Sequence, residues 1–320
     1  MKQKATSFFC KNCENKLFLD IETTGLRPDK DIILSFSLFI AKNNEILTML
    51  IQNPEEEQIL LEKLILLIQD ADIIVTYTHF DIFFINQRLK IYNLSQISNF
   101  NINLKKIKFA KKIPRSVLEQ YLNFQKEYST TGKELAKINR LYLKQPTSAY
   151  ETLIMTHNVE DILSCLLIYN FYIIYNSLNA DIYPYVEGNF IVCSINVALN
   201  LNSNINFKTD DIIVEYDIST CTLLLKLEII SLTLKKPLVP HTNYVYVKGQ
   251  ILHKSLAKFV IDTKTKVKKE DCFLEETSLF LKCPINYSDV WYDKDKNKYT
   301  PVTTNTNLIL RIVQYYFNLE

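Results

Sequence analysis

The stretch FLDIETTGL, residues 18–26, decides how this chain is read. Asp20 and Glu22 close an apolar run, and two threonines and one of the chain's four glycines follow. Charge is costly on a buried strand, so two neighbouring carboxylates there need a reason. In a strand, residues i and i+2 point to the same side, so both acids project from one face near its carboxyl end. Ligands of open α/β sheets gather at that end. Two like charges this close do not both stay ionised without a cation between them. Carboxylate oxygens suit Mg²⁺ or Mn²⁺ rather than zinc or copper.

The sequence around this stretch is patterned as α/β. Residues 16–21 read as a central strand. DIILSFSLFIAK (31–42) and EILTMLIQ (45–52) read as two strands joined at Asn43–Asn44, a hairpin signal. NPEEEQILLEKLILLIQD (53–70) reads as a helix capped by Asn53, with Pro54 in its first turn and three glutamates at the positive end of its dipole. DIIVTY (72–77) is a short buried strand, and the helix FDIFFINQRLKIY (80–92) carries Asp81 in its first turn. More helices are expected near 115–125, from about Thr131, and over 148–177. This order predicts an α/β fold, a mixed sheet flanked by helices with one antiparallel hairpin.

After residue 178 the texture turns to alternating β-type segments. Helices are expected at ILHKSLAKFVI (251–261) and at the C-terminal LILRIVQYYFNLE (308–320). The expected organisation is a loose segment 1–15, an α/β domain 16–178 and a β-rich accessory domain 179–320. The boundary is a shift of composition rather than a linker, so the two parts can pack tightly.

Composition narrows the class but not the partner. The 320 residues are 48% hydrophobic and 22% charged, as in soluble globular proteins, with a formal net charge of +2. Affinity for nucleic acid must therefore come from a local patch. The N-terminus is polar and shows no secretory signal. The most apolar helical stretch, ILSCLLIYNFYIIYNSL (162–178), is interrupted by Asn170 and reads as a core helix, not a membrane span. No membrane partner and a cytoplasmic location are expected. Seven scattered cysteines fit reduced thiols. Cys10 and Cys13 form one CxxC with no second half to close a zinc shell, so two free thiols are expected.

A further acid stands in HNVEDILS (157–164). His157 and Asp161 are four residues apart, about 6 Å along a helix axis, and share one face. A histidine beside metal-bound carboxylates can take a proton from water near neutral pH. Asp20, Glu22, Asp81, Asp161 and His157 together make a recipe for two-metal phosphodiester hydrolysis. Each piece alone has an ordinary reading: an edge-strand acid pair, a helix-dipole acid, a surface His–Asp pair. Their order and settings join them.

The set resembles the DEDD 3′→5′ exonuclease superfamily on the ribonuclease-H-like fold. FLDIETTGL is similar to its first motif, IIVTYTHFDIFFINQRL to its second and HNVEDIL to its third. TGKELAKINRLYLKQPTSAYETLIMTHNVEDILSCLLIY looks more narrowly like the YprB-like ribonuclease-H-like proteins. The resemblance covers about residues 16–178. It implies that Asp20, Glu22, Asp81 and Asp161 hold two Mg²⁺ or Mn²⁺ ions, that His157 is the general base, and that Thr23 and Leu26 lie against the terminal nucleotide. Two departures stand out. TYTH fills the place where the second motif usually carries an Asn. The His–Asp spacing is four, one shorter than in the His-bearing branch. His79, beside the second motif, is a further polar candidate or simply a helix-start residue.

A nuclease also needs positive charge for its substrate. NLKKIKFAKKIPR (103–115) offers Lys105, Lys106, Lys108, Lys111, Lys112 and Arg115 around Phe109. Such a strip suits a single strand, by phosphate contact and base stacking, and equally suits a solvated loop. Three functions remain open from sequence: a 3′→5′ exonuclease on DNA or RNA, acting most naturally at a single-stranded end; a non-catalytic nucleic-acid-binding module; and a ribonuclease-H-type endonuclease. Oligomeric state is not legible.

Overall fold

The computed structural model describes residues 1–317 except 9–12, 14, 15, 107–112, 129, 179–181, 200, 202, 288, 303 and 304. Its first half is a six-stranded sheet with helices on both faces. In chain order the elements are β1 (Lys2–Ser7), β2 (Lys16–Thr23), β3 (Ile33–Ile40), β4 (Glu45–Leu50), α1 (Glu57–Ile68), β5 (Ile73–Thr76), α2 (Phe80–Ile91), β6 (Phe100–Asn103), α3 (Arg115–Tyr121), α4 (Gly132–Lys144) and α5 (Ser148–Ser177). The strand order is β1-β4-β3-β2-β5-β6. β2, β3, β4 and β1 pair antiparallel, whereas β2–β5 and β5–β6 are parallel. This is the expected mixed α/β sheet of ribonuclease-H-like type.

Alternation along β2 sets the two faces. Leu17, Leu19 and Ile21 belong to a core cluster with Leu60, Leu61 and Leu64 of α1 and Phe84, Ile85 and Leu89 of α2. Phe18 faces the other way, into a cluster with Ile162, Cys165, Leu166 and Tyr169 of α5. The Phe18 ring meets the Tyr169 ring edge-on at 5.2 Å. Each such buried side chain contributes roughly 1.5–3 kcal/mol. With both faces covered, the strand is buried end to end, which is why Asp20 and Glu22 are buried too.

The β3–β4 hairpin turns at Asn44, whose φ of 51° is the left-handed conformation that asparagine tolerates. Three details differ from the sequence expectation. The segment before residue 16 is not all loose: β1 pairs with β4 from Lys2↔Leu50 to Ser7↔Glu45, because an edge strand offers a row of open backbone groups. The Asn53 side chain makes no cap hydrogen bond. The glutamates beside it serve tertiary contacts instead: Glu56 accepts from the Gln52 amide at 2.7 Å, and buried Glu57 accepts from the Ile33 amide at 2.8 Å and from Arg88 Nε at 2.9 Å. Cys13 is buried and disulfide-bonded rather than a free thiol, while Cys10 lies outside the described residues.

The second half is β-rich, as expected. It comprises β7 (Tyr185–Glu187), β8 (Phe190–Asn196), β9 (Ile205–Lys208), β10 (Ile213–Asp217), β11 (Thr222–Pro237), β12 (Tyr244–Val247), β13 (Gln250–His253), α6 (Lys254–Ala257), β14 (Thr265–Lys266), β15 (Phe273–Lys282), β16 (Trp291–Tyr292), β17 (Lys298–Pro301) and α7 (Thr306–Phe317). The helix expected over 251–261 is a strand and a single turn. A tight turn at Lys248–Gly249, both at positive φ, folds β13 back onto β12 and takes Gln250–His253 out of the helix. One core cluster runs from Phe18 through α5 to Phe207, Leu223 and Phe317, so α5 is shared by both halves. Phe171 of α5 lies against the rings of both Phe207 and Phe317. No helix of the described residues is long and apolar enough to cross a membrane.

Candidate active site

Three elements bring the acids together. β2 carries Asp20 and Glu22, opposite Ser37 and Ser35 of β3, and its register shifts between Glu22 and Thr23. β5 pairs with β2 only as far as Phe18↔Val75, leaving the continuing edge of β2 open. The start of α2 lies beside that edge and buries Asp81 there, near enough to the Ile21 backbone amide for it to favour the carboxylate. α5 adds His157 and Asp161 one turn apart on its inner face, both buried.

Glu22, His157 and Asp161 offer ligand atoms within 4.8 Å of one another. His157 Nδ1 lies 3.0 Å from Glu22 Oε1 and 3.6 Å from Asp161 Oδ2. Asp20 is raised well above the usual carboxylate range, first by burial and then by the charges of Asp161, Asp81 and Glu22. Burial also lifts Glu22, against the His157 hydrogen bond, and lifts Asp81 to about 7. The His157 imidazole is raised: burial pulls it down, but the bond to Glu22 and the Asp161 charge outweigh this.

Asp161 moves the other way. Burial pushes its carboxyl up, yet Arg115, Lys126 and His157 together hold it below the ordinary value. Arg115 Nη2 is 2.9 Å from Asp161 Oδ1 and donates to the Asp161 backbone carbonyl at 3.0 Å. Its Nε reaches Ser164 Oγ and Glu119 Oε1, each at 3.0 Å, and its guanidinium sits 4.5 Å from the Tyr77 ring centre. Ser164 Oγ in turn donates to Glu119 Oε1 at 2.5 Å. Lys126, in the loop between α3 and α4, donates to the same Asp161 Oδ1 and lies 3.6 Å from Glu119 Oε1.

The turn after β2 is fixed by its own polar groups. Arg27 donates its backbone amide to Asp31 Oδ2 at 2.9 Å, and the Ile32 amide donates to Thr24 Oγ1 at 3.0 Å. A Cβ at Gly25 would lie 2.4 Å from Asp31 Oδ2, so only glycine lets that carboxylate close the turn. The Thr23 hydroxyl donates to the Gly25 carbonyl at 2.6 Å, and the Thr23 carbonyl accepts from buried Asn139 at 2.8 Å. Asn139 is placed by α4, which begins in a capping box between Thr131 and Glu134.

Among the other sequence candidates, Leu26 is 78% exposed. Thr23 is buried and held within the turn. Arg115 is not part of an open basic strip: as the first residue of α3 it points into the acids, because the charge it faces outweighs solvation of an exposed loop. Lys105 and Lys106 are exposed at the end of β6, while Lys108, Lys111 and Lys112 lie outside the described residues. His79 is exposed at the start of α2 and lines a separate cavity of about 370 Å³ with Lys106 and Tyr172. Lys126, Glu119, Ser164 and Asn139 escaped sequence reading, because nothing in their local pattern says which distant carboxylate or carbonyl they meet.

The donor set fits a hard divalent cation. Four buried carboxylates lie near enough to act on one another's charge, three of them raised first by burial, and a hard cation takes oxygen ligands of this kind. Asp161 Oδ1 already faces two side-chain cations, which leaves Oδ2, on the side of Glu22 and His157, to ligate.

No curated protein matches this chain. One solved structure that this chain matches in part is the family B DNA polymerase from the hyperthermophilic archaeon Pyrobaculum calidifontis, with a TM-score of 0.42 and 15% identity over 51% of this chain. The match takes in 25% of that polymerase, so this chain spans about a quarter of its length. Residues 17–173, the sheet and helices that carry Asp20, Glu22, Asp81, His157 and Asp161, match the family model described as the RNase H superfamily.

Proposed function

We propose that this protein is a divalent-metal-dependent nuclease that hydrolyses phosphodiester bonds of DNA or RNA, acting as a 3′→5′ exonuclease on a single-stranded end. One observation carries the reading: Glu22, His157 and Asp161 offer ligand atoms within 4.8 Å of one another, and buried Asp20 and Asp81 lie near enough to share the same field of charge. In this reading the four acids hold two Mg²⁺ or Mn²⁺ ions, which when bound lower the pKa of the attacking water and stabilise charge on the scissile phosphate.

The chain's own residues divide the remaining work. With Nδ1 donating to Glu22, the neutral ring of His157 has Nε2 as its acceptor, so the imidazole can take a proton from water there. Arg115 and Lys126 offset the charge of Asp161 and keep the cluster folded before substrate arrives. Exposed Leu26 supplies an apolar surface for the terminal nucleotide, and Lys105 and Lys106 supply phosphate contacts.

The test is a time course on end-labelled single-stranded DNA and RNA with Mg²⁺ or Mn²⁺. The reading requires mononucleotide release that stops on chelation and in Asp20→Asn. A second reading, a non-catalytic nucleic-acid-binding module, draws on the two cationic partners that Asp161 already has. It requires strand binding without cleavage and no divalent-cation site at the acids.

A further inference from the structure

We propose that Lys126 is a built-in counter-cation of the Glu22–His157–Asp161 cluster, displaced when a divalent ion binds there. The proposal rests on reading the acids as a cation site and adds a residue that governs its loading.

Two cations meet Asp161 Oδ1, and they are held very differently. Arg115 is locked. It opens α3 and contacts Glu119, Ser164, both the carboxylate and the backbone carbonyl of Asp161, and the Tyr77 ring. A planar guanidinium held by that many partners cannot leave without unmaking the α3–α5 contact. Lys126 has no such frame. It lies on the loop between α3 and α4, and among the described residues its ammonium meets the carboxylates of Asp161 and Glu119 alone.

Beyond the Asp161 oxygen they share, the charges of the two cations fall on different groups. The charge of Arg115 acts on Asp20 and Asp81. That of Lys126 acts on Glu22 and His157, the side on which Asp161 Oδ2 faces them. A divalent ion on that side meets the Lys126 charge at close range, and like charges in a buried site repel strongly. Lys126 has somewhere to go: Glu119 Oε1 is already 3.6 Å away. Its long flexible stem allows the move with little change of backbone. Metal loading and the position of the Lys126 ammonium are thus coupled.

Manganese binding to the full-length chain tests this by calorimetry, with Mn²⁺ electron paramagnetic resonance as a second readout. Lys126→Met keeps the stem and removes the charge. It should bind Mn²⁺ about tenfold to a hundredfold more tightly than wild type, and melt at a lower temperature without metal. If Lys126 merely clamped Asp161 in place, its loss would misplace that ligand and weaken binding. Unchanged or weaker Mn²⁺ affinity in a folded Lys126→Met protein therefore overturns the proposal. Should that variant fold only with metal, Lys126→Arg decides. Its bidentate guanidinium is harder to displace, so it should bind Mn²⁺ more weakly than wild type, and equal affinity overturns the proposal. Absence of Mn²⁺ binding in all three chains also overturns it. None of these outcomes depends on strand cleavage: Mn²⁺ binding that follows the Lys126 charge, in a chain that cuts nothing, sinks the nuclease reading alone.

Discussion

Glu22 and His157, 135 residues apart in sequence, are joined by a buried hydrogen bond of 3.0 Å between Oε1 and Nδ1. The bond ties the first acidic motif to the third and, in the proposed reading, leaves Nε2 of the ring for proton transfer. If His157 is the base, His157→Ala should lower the rate of strand cleavage about 10²–10⁴-fold while Mn²⁺ still binds. Glu22→Gln should retain the ring's position but lose metal affinity. Single-turnover cleavage beside calorimetric Mn²⁺ titration separates the two effects.

The raised carboxyls make metal-free stability depend on pH. Burial lifts Asp81 from an ordinary 3.8 to about 7, and Asp20 and Glu22 shift the same way. A raised carboxyl holds its proton more tightly in the folded chain, so its contribution is full below about 4 and is lost as pH climbs through 7. Asp161, lowered, acts oppositely and loses its contribution only as pH falls below its ordinary value. Without metal, the melting temperature should therefore fall between pH 5 and 8. Saturating Mn²⁺ should remove the fall, because metal ligation takes the deprotonated form. Thermal melts across that range, with and without Mn²⁺, check both statements.

Arg115 should matter for folding more than for substrate contact. Arg115→Met strands Asp161 and Glu119 with less positive charge and removes the Tyr77 contact. Breaking one side of a buried ion pair costs about 3–5 kcal/mol. Urea unfolding of the variant without metal should show a loss of that order. A loss under about 1 kcal/mol would mean that Lys126 alone balances Asp161.

The turn after β2 gives a cleaner structural test. Gly25→Ala places a Cβ against the Asp31 carboxylate and displaces it from the Arg27 amide. That bond is exposed, so water can replace it and its loss should cost only about 0.5–1.5 kcal/mol. Activity should fall further than stability implies, because this turn leads straight from Glu22. Gly132, with open space around it, should tolerate alanine.

Much of the first half was legible because local signals there agree with the tertiary result. Alternation in β2, the Asn43–Asn44 turn, the position of Asp81 and the one-turn spacing of His157 and Asp161 each reflect a periodicity written in the chain. What sequence missed depends on meetings between distant segments. Arg115 sits among lysines in sequence and reads as one of them, but its place at the start of α3 turns it toward Asp161. Lys126 and Asn139 carry no motif, and only the docking of α3 and α4 on α5 and β2 gives them partners. The 251–261 stretch failed as a helix because pairing with β12 overrode its apolar spacing.

The most direct test of the whole account is Mn²⁺ or Mg²⁺-dependent release of mononucleotides from a 3′-end-labelled single strand, compared in wild type and Asp20→Asn. The account expects label to appear first as mononucleotide in wild type, none after chelation, and none from a folded Asp20→Asn chain. Equal release by both proteins, or intact strands under every divalent ion with both DNA and RNA, would contradict it.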